Sequence, residues 1–227
     1  MFEPTNFKDK PMENSERIEL SADLHYVNAL LLQMIKGVED VLGTNGLNVV
    51  LGTSGLERYI NNPPPDDLGH DVLAREFAQL HESIETFTGR AGKGMLRRIG
   101  RSAFDWASKE QIKTMGLANL ALAVLPQKLR MQAVLMGIKK GLVNNLDYSK
   151  IDIAFKDGVH IFTNHTNAIP HMRTSDTPVC HMLVGSLAQA MGFATGKDWQ
   201  DFEVIETECR ATGAASCRFE IRTINEA

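Results

Sequence analysis

The hydrophobic period of this chain changes partway along, and the change limits its fold class more than any other feature. Up to Asn145 apolar residues recur every three or four positions, as on one face of a helix. After Asn145 they alternate: Ile151, Ile153 and Phe155 with Asp152, Ala154 and Lys156, then Val159 and Ile161 beyond Asp157-Gly158. Asp-Gly between alternating runs is a strong hairpin signal. A polar loop over about 163–178 follows, then a helix over about 179–192 with Leu183, Val184, Leu187 and Met191 on one stripe. Strands over roughly 201–210 and 216–224, joined around Gly213, close the pattern. The expectation is an α+β fold: N-terminal helices followed by a β-β-α-β-β antiparallel sheet with helices packed on it.

Within the helical half, residues 1–20 are polar and contain Pro4 and Pro11, and are expected to form a flexible arm. Ser21 is a candidate N-cap for a helix to about Leu42, with Leu24, Val27, Leu31, Val38 and Leu42 at heptad-like steps. That stripe suits a core helix or a helix that pairs with its copy. The segment 21–68 is therefore expected to be helical and a candidate dimerisation segment, which makes a homodimer the expected oligomer. Residues 43–60 fit two short helices joined by a turn, and Asn61-Asn-Pro-Pro-Pro-Asp-Asp67 must break any helix. Residues 69–227 are expected to form the ligand-binding domain. Helical stripes cover about 71–106, interrupted at Gly89–Gly94, then about 112–124 and 127–144.

The composition sets outer limits. The chain of 227 residues is 43% hydrophobic and 23% charged, with a net charge of −4. An acidic balance argues against a general nucleic-acid binder. No apolar run is long enough for a membrane span. The polar N-terminus lacks the apolar core of a secretory signal, so a reducing cytoplasm is expected and the Asn164-His-Thr166 sequon is discounted.

Three cysteines are present. Cys209 and Cys217 flank a reverse turn, where a hairpin can fold both thiols to one face. Cys180 precedes the next helix upstream, whose positive end favours a thiolate. Three such sulfurs can share a tetrahedral zinc ion with a fourth ligand. Candidates for the fourth are Glu206, Glu208, His171 and His181. Glu206 lies three residues before Cys209, so a flat strand would project the two to opposite faces. Only a bulge or sharp twist brings both to one ion. Three buried thiols that merely fill space, or a Cys209–Cys217 disulfide, are the other readings of the same residues.

The segment Cys180–Ile221 resembles the 4-vinyl-reductase-type domain, a small-molecule-binding module. It shows Cys180, a helix with Gly185 and Gly192, Glu206-Thr-Glu-Cys209, Gly213 and Cys217-Arg-Phe-Glu-Ile221. The domain is similar to the sensor domains of phenol-responsive transcriptional activators and to a Golgi transport-complex subunit. The resemblance implies a structural zinc on Cys180, Glu206, Cys209 and Cys217. It also implies a pocket for a small hydrophobic or aromatic ligand, a tetrapyrrole among the options, carried or sensed, with a protein partner possible. The family's name points to an alternative, vinyl-group reduction in bacteriochlorophyll synthesis. That chemistry needs a hydride donor, and no dinucleotide fingerprint follows a strand here. A dimeric scaffold without ligand is the third reading.

For the pocket, the candidate residues are Arg97, Arg101, Phe104, Trp106, Phe155, Phe162 and His165. The aromatics would line an apolar cavity between the sheet and the long helices. The arginines, part of a basic run with Lys93 and Arg98, would clamp acidic groups. Gly89-Arg-Ala-Gly-Lys-Gly94 lacks the spacing and the Ser or Thr of a phosphate loop. No Gly-x-Ser-x-Gly elbow or catalytic triad is recognisable.

Overall fold

The protein is described from a computed structural model, which covers residues 17–114, 124–145 and 149–224. Most of the expected arm, and most of the helix expected at 112–124, lie outside the described residues. The architecture is α+β, as the change of period predicts. Five helices are described: α1 (Asn28–Thr53), α2 (Ala74–Thr88), α3 (Gly92–Thr114), α4 (Gln127–Asn145) and α5 (His181–Thr195). The short strands β1 (His25–Tyr26) and β2 (Val72–Leu73) pair with each other. Strands β3 (Ile151–Lys156), β4 (Val159–Asn164), β5 (Phe202–Glu208) and β6 (Cys217–Thr223) form one antiparallel sheet in the order β3-β4-β6-β5.

The 151–162 hairpin forms where it was expected. Lys156 pairs with Val159 across a two-residue turn in which Asp157 and Gly158 have φ of 52° and 80°. Such angles define a turn whose twist matches the flanking strands.

The first helix differs from expectation at both ends. It begins at Asn28 rather than near Ser21. Asn28 is held by tertiary bonds: its Nδ2 donates to Asp67 Oδ1 at 2.8 Å and Asp71 Oδ2 at 2.9 Å, and its Oδ1 accepts from Asp71 N. The preceding residues are drawn into the small sheet, where Ala74 N also bonds Leu24 O. The helix then continues past Leu42, with a kink at Gly43, whose φ of 72° and ψ of 169° are not helical. The heptad-like stripe is covered within the protomer: Leu31, Met34, Ile35 and Val38 join a single buried cluster that also takes in Leu96 and Ile99 of α3, Leu187 and Met191 of α5, and Phe162, Phe219 and Ile221 of the sheet.

α3 and α5 cross at very short range. A Cβ on Gly100 would overlap the Met182 carbonyl, and one on Gly185 would overlap the Arg97 carbonyl. Ser186 Oγ donates to Gly100 O at 2.8 Å across the same contact. This crossing sets the start of α5, and with it the position of Cys180.

Candidate metal centre and adjoining pocket

Strand register explains how the terminal hairpin gathers its ligands. From Phe202 to Glu206, β5 pairs regularly with β6, and Glu206 stands opposite Phe219. Directly opposed residues share a face, so Glu206 points to the buried side with Phe219 and Ile221. A bulge then intervenes, and Glu208 stands opposite Arg218. The shift of one residue turns Cys209 to the face that Glu206 and Cys217 already occupy. Odd numbering alone would not have paired the two cysteines, because the ladder before the bulge sets even residues of β5 against odd residues of β6. The turn is fixed by the Cys209 carbonyl, which accepts from the backbone N–H groups of Thr212 and Ala214 and from Thr212 Oγ1.

Cys180 arrives from the sheet's cover as the N-cap residue of α5. Its Sγ lies 3.9 Å from Cys209 Sγ and 3.7 Å from Cys217 Sγ. Its backbone N–H donates to Glu206 Oε2 at 2.8 Å, which fixes the carboxylate at the helix N-terminus. One ligand atom from each of Cys180, Glu206, Cys209 and Cys217 lies within 4.8 Å of the others, and these four residues could hold a metal ion. All three cysteines are free and fully buried. A tetrahedral ion with arms near 2.3 Å spaces its sulfurs by about 3.8 Å, the spacing found here. The second carboxylate oxygen, Glu206 Oε1, is buried with no hydrogen-bond partner. An orphaned buried oxygen is costly unless something electropositive meets it.

The electrostatics follow from crowding. Burial, and then the neighbouring Cys209, push the Glu206 carboxyl up to about 8. Burial likewise pushes the Cys180 thiol well up. Hydrogen bonds from Cys180 and Cys217 draw Cys209 well below an ordinary thiol. Cys217 is pulled down by its bond with Cys180, but donation to Cys209 and burial outweigh that pull and raise it. The group thus settles a single thiolate on Cys209. A divalent cation would displace the remaining protons.

His171 and His181, the other candidate ligands, are not in this cluster. Both imidazoles are shifted down, His181 to about 4, by burial first and then by nearby cationic side chains. Sequence reasoning missed Arg210, which is buried in the turn between two of the cysteines. It donates to His165 O at 2.8 Å, Ala215 O at 2.9 Å and Ile18 O at 2.7 Å, tying the loop, the turn and the end of the N-terminal segment together.

Beside the cluster lies an apolar pocket of about 340 Å³, enclosed by α1, α3, α4, α5 and the loop after β4. Its walls include Met34, Phe77, Phe104, Ile138, Leu183 and Leu187, and Asn164 and Asn167 stand on its floor. Of the seven residues expected at a pocket, Phe104 lines this one; the other six stand elsewhere. Trp106 Nε1 donates to Asp40 Oδ2 at 2.8 Å on the outside of α3. Arg101 stacks on the Trp199 ring at 3.8 Å, and Arg97 is exposed. Phe155 packs edge-on against His160 under Lys128, and Phe162 is sealed in the core against Phe219. His165 Nε2 bonds Asp152 Oδ2 at 2.8 Å. The cavity is therefore walled by helices, and side chains of the 151–162 hairpin do not reach it. A sequence signal for it existed: Gly137 and Gly141 sit one helical turn apart inside α4 and both face it.

The fold is that of H-NOX domains. The chain matches the H-NOX protein from S. oneidensis solved in its Fe(II)NO state at a TM-score of 0.53 and 14% identity, covering 86% of this chain and 99% of that one. It matches a mutant of the T. tengcongensis H-NOX at 0.52 and 13%, covering 88% and 99%. An H-NOX structure addressing the mechanism of activation gives 0.55 and 13%, covering 88% and 98%. Within this fold, residues 159–223 match the family model of the 4-vinyl-reductase domain, which bears out the resemblance read from Cys180–Ile221. No curated protein matches the sequence. Among the described residues, no helix is long and apolar enough to cross a membrane.

Proposed function

We propose that this protein binds a small apolar molecule in the helical pocket, as a carrier or sensor. In this reading a structural zinc on Cys180, Glu206, Cys209 and Cys217 braces the floor of the pocket. The observation that carries it is the pair Gly137 and Gly141. A glycine inside a helix costs about 1 kcal/mol relative to alanine. Elsewhere in this protein that cost is offset by a close crossing, as at Gly100 and Gly185. At Gly137 and Gly141 no described atom lies within 4 Å of where a Cβ would stand. What these two glycines supply is empty volume in an apolar pocket.

The metal half of the reading rests on the donor set, the sulfur spacing and the orphaned Glu206 Oε1. Four protein ligands leave no open coordination position, so bound zinc would supply a cross-link and no Lewis-acid step. The H-NOX neighbours include structures named for their heme. The pocket here does not fit that group: among the described lining residues there is no histidine or cysteine to ligate iron, and no lysine or arginine to pair with propionates.

Metal analysis of protein purified without added zinc is expected to give about one zinc per chain. A value near zero, with stability untouched by chelator, removes the metal half. The uncharged fluorophore Prodan (6-propionyl-2-dimethylaminonaphthalene) is expected to bind with a blue-shifted rise in emission, lost in Gly137→Leu at an unchanged fold. Equal binding by both proteins removes the pocket half.

A further inference from the structure

The floor of the pocket is chemically one-sided, and its polarity names a ligand class. Asn167 is buried and lines the cavity. Its amide orientation is not arbitrary. Ile169 N–H can only donate, so the atom 3.2 Å from it is Oδ1. The Nδ2 group then faces Cys180 and donates one N–H to its Sγ at 3.2 Å. The second N–H of Asn167 has no acceptor among the described residues. Asn164, its neighbour on the floor, is oriented in the same way. Its Oδ1 accepts from Thr166 N at 3.0 Å, and its Nδ2 has no described partner. The hydroxyl protons around the cavity are already committed: Tyr26 donates to Thr166 O, Ser108 to Asp105 O and Ser186 to Gly100 O. No ionisable acid or base other than Tyr26 stands on the described lining, and the remaining walls are apolar apart from Gln33.

We infer that the pocket takes an uncharged, mainly apolar molecule bearing a hydrogen-bond acceptor oxygen, a ketone, ether or phenol oxygen, held by the spare amide protons of Asn167 and Asn164. This rests on the ligand-binding reading above and narrows it. A buried N–H without a partner loses the free energy of a hydrogen bond, so an occupant that fills the cavity but brings no acceptor leaves that cost in place. A carboxylate would bring acceptors but also a charge, and the described lining offers no cation to compensate its desolvation. Asn167 is the discriminating residue, because its other N–H is anchored to the Cys180 sulfur and its carbonyl to Ile169. The amide cannot rotate to offer its oxygen without breaking both bonds.

The test displaces Prodan from the wild-type protein with three naphthalenes of nearly equal size: 2-acetylnaphthalene, 2-isopropenylnaphthalene and naphthalene-2-carboxylate. The ketone is expected to bind about tenfold tighter than the alkene, the size of one buried hydrogen bond of about 1.4 kcal/mol. The carboxylate is expected not to compete. In Asn167→Leu, which keeps the side-chain volume and removes the amide, ketone and alkene are expected to become equal. Equal affinity of ketone and alkene for the wild type overturns the inference, as does displacement by the carboxylate. Those arms need no variant, so a misfolded Asn167→Leu does not shelter it. Failure of Prodan to bind the wild type at all would instead count against the pocket reading itself.

Discussion

His81 shows how much of this protein's pH response rests on single buried side chains. Its imidazole is fully buried on α2, and Arg173 Nη1 lies 3.2 Å from its Nδ1. A guanidinium can only donate, so Nδ1 is the acceptor and the ring proton sits on Nε2, which has no partner. Burial first, then the charges of Arg173 and His181, hold His81 well below its ordinary range, against a smaller opposing pull from Cys209. The Arg173 guanidinium is itself paired with Glu85. The unfolded chain therefore takes up a proton at about pH 6.5 that the folded chain refuses. Stability is present above that pH and falls as the pH drops below it, by up to about 1.4 kcal/mol per pH unit from this one group. In denaturant titrations, His81→Asn, which keeps an acceptor for Arg173, is expected to show a shallower loss between pH 6.5 and 4.5 than the wild type. Parallel slopes would assign the acid sensitivity elsewhere. Nothing in the sequence separates His81 from the other histidines, because its burial comes from the packing of α2 against a loop ninety residues away.

At the level of elements, two kinds of glycine in helices make opposite predictions. Gly185→Ala forces a methyl into the Arg97 carbonyl at the α3–α5 crossing. Overpacking of this kind costs about 1–3 kcal/mol, which corresponds to a melting temperature lower by roughly 2–10 °C. Gly137→Ala adds a methyl to open space and is expected to raise the melting temperature by a few degrees at most, through helix propensity alone. Thermal denaturation of the two variants side by side decides the matter: a neutral Gly185→Ala would mean the helices separate freely. The same contrast marks what the sequence could show. Periodicity located α4, the 151–162 hairpin and the last two strands to within a few residues, because those patterns are local. It placed the start of α1 too early, because the bonds of Asn28 to Asp67 and Asp71 join residues some forty positions apart. The metal ligands were legible as residue types at a family spacing. Their common face was not, since a single-residue bulge between Glu206 and Glu208 leaves no mark in composition or period. The glycines of α4 were visible, but one sequence does not distinguish a glycine that permits contact from one that keeps a space.

Across the whole molecule, the metal centre and the pocket share structure without sharing atoms. None of the four candidate ligands lines the cavity, yet the loop that forms its floor is attached to the cluster at two points: Asn167 bonds the Cys180 sulfur, and Arg210 holds the His165 carbonyl. Loss of the ion would leave three thiols and a buried carboxyl crowded together, and the hairpin tip would have to open to hydrate them. Opening moves Arg210 and frees Asn167, so the floor loses its orientation. Chelation, or Cys209→Ser, is therefore expected to lower the melting temperature and also to weaken Prodan binding about fivefold or more, the usual scale of coupling between two sites. Linkage makes the effect reciprocal: Prodan should tighten zinc binding by the same factor, measured by competition with a chromogenic chelator. A chelated protein that stays folded and binds Prodan with unchanged affinity would show that the two sites are independent, and that the hydrogen bond from Asn167 to Cys180 transmits nothing between them.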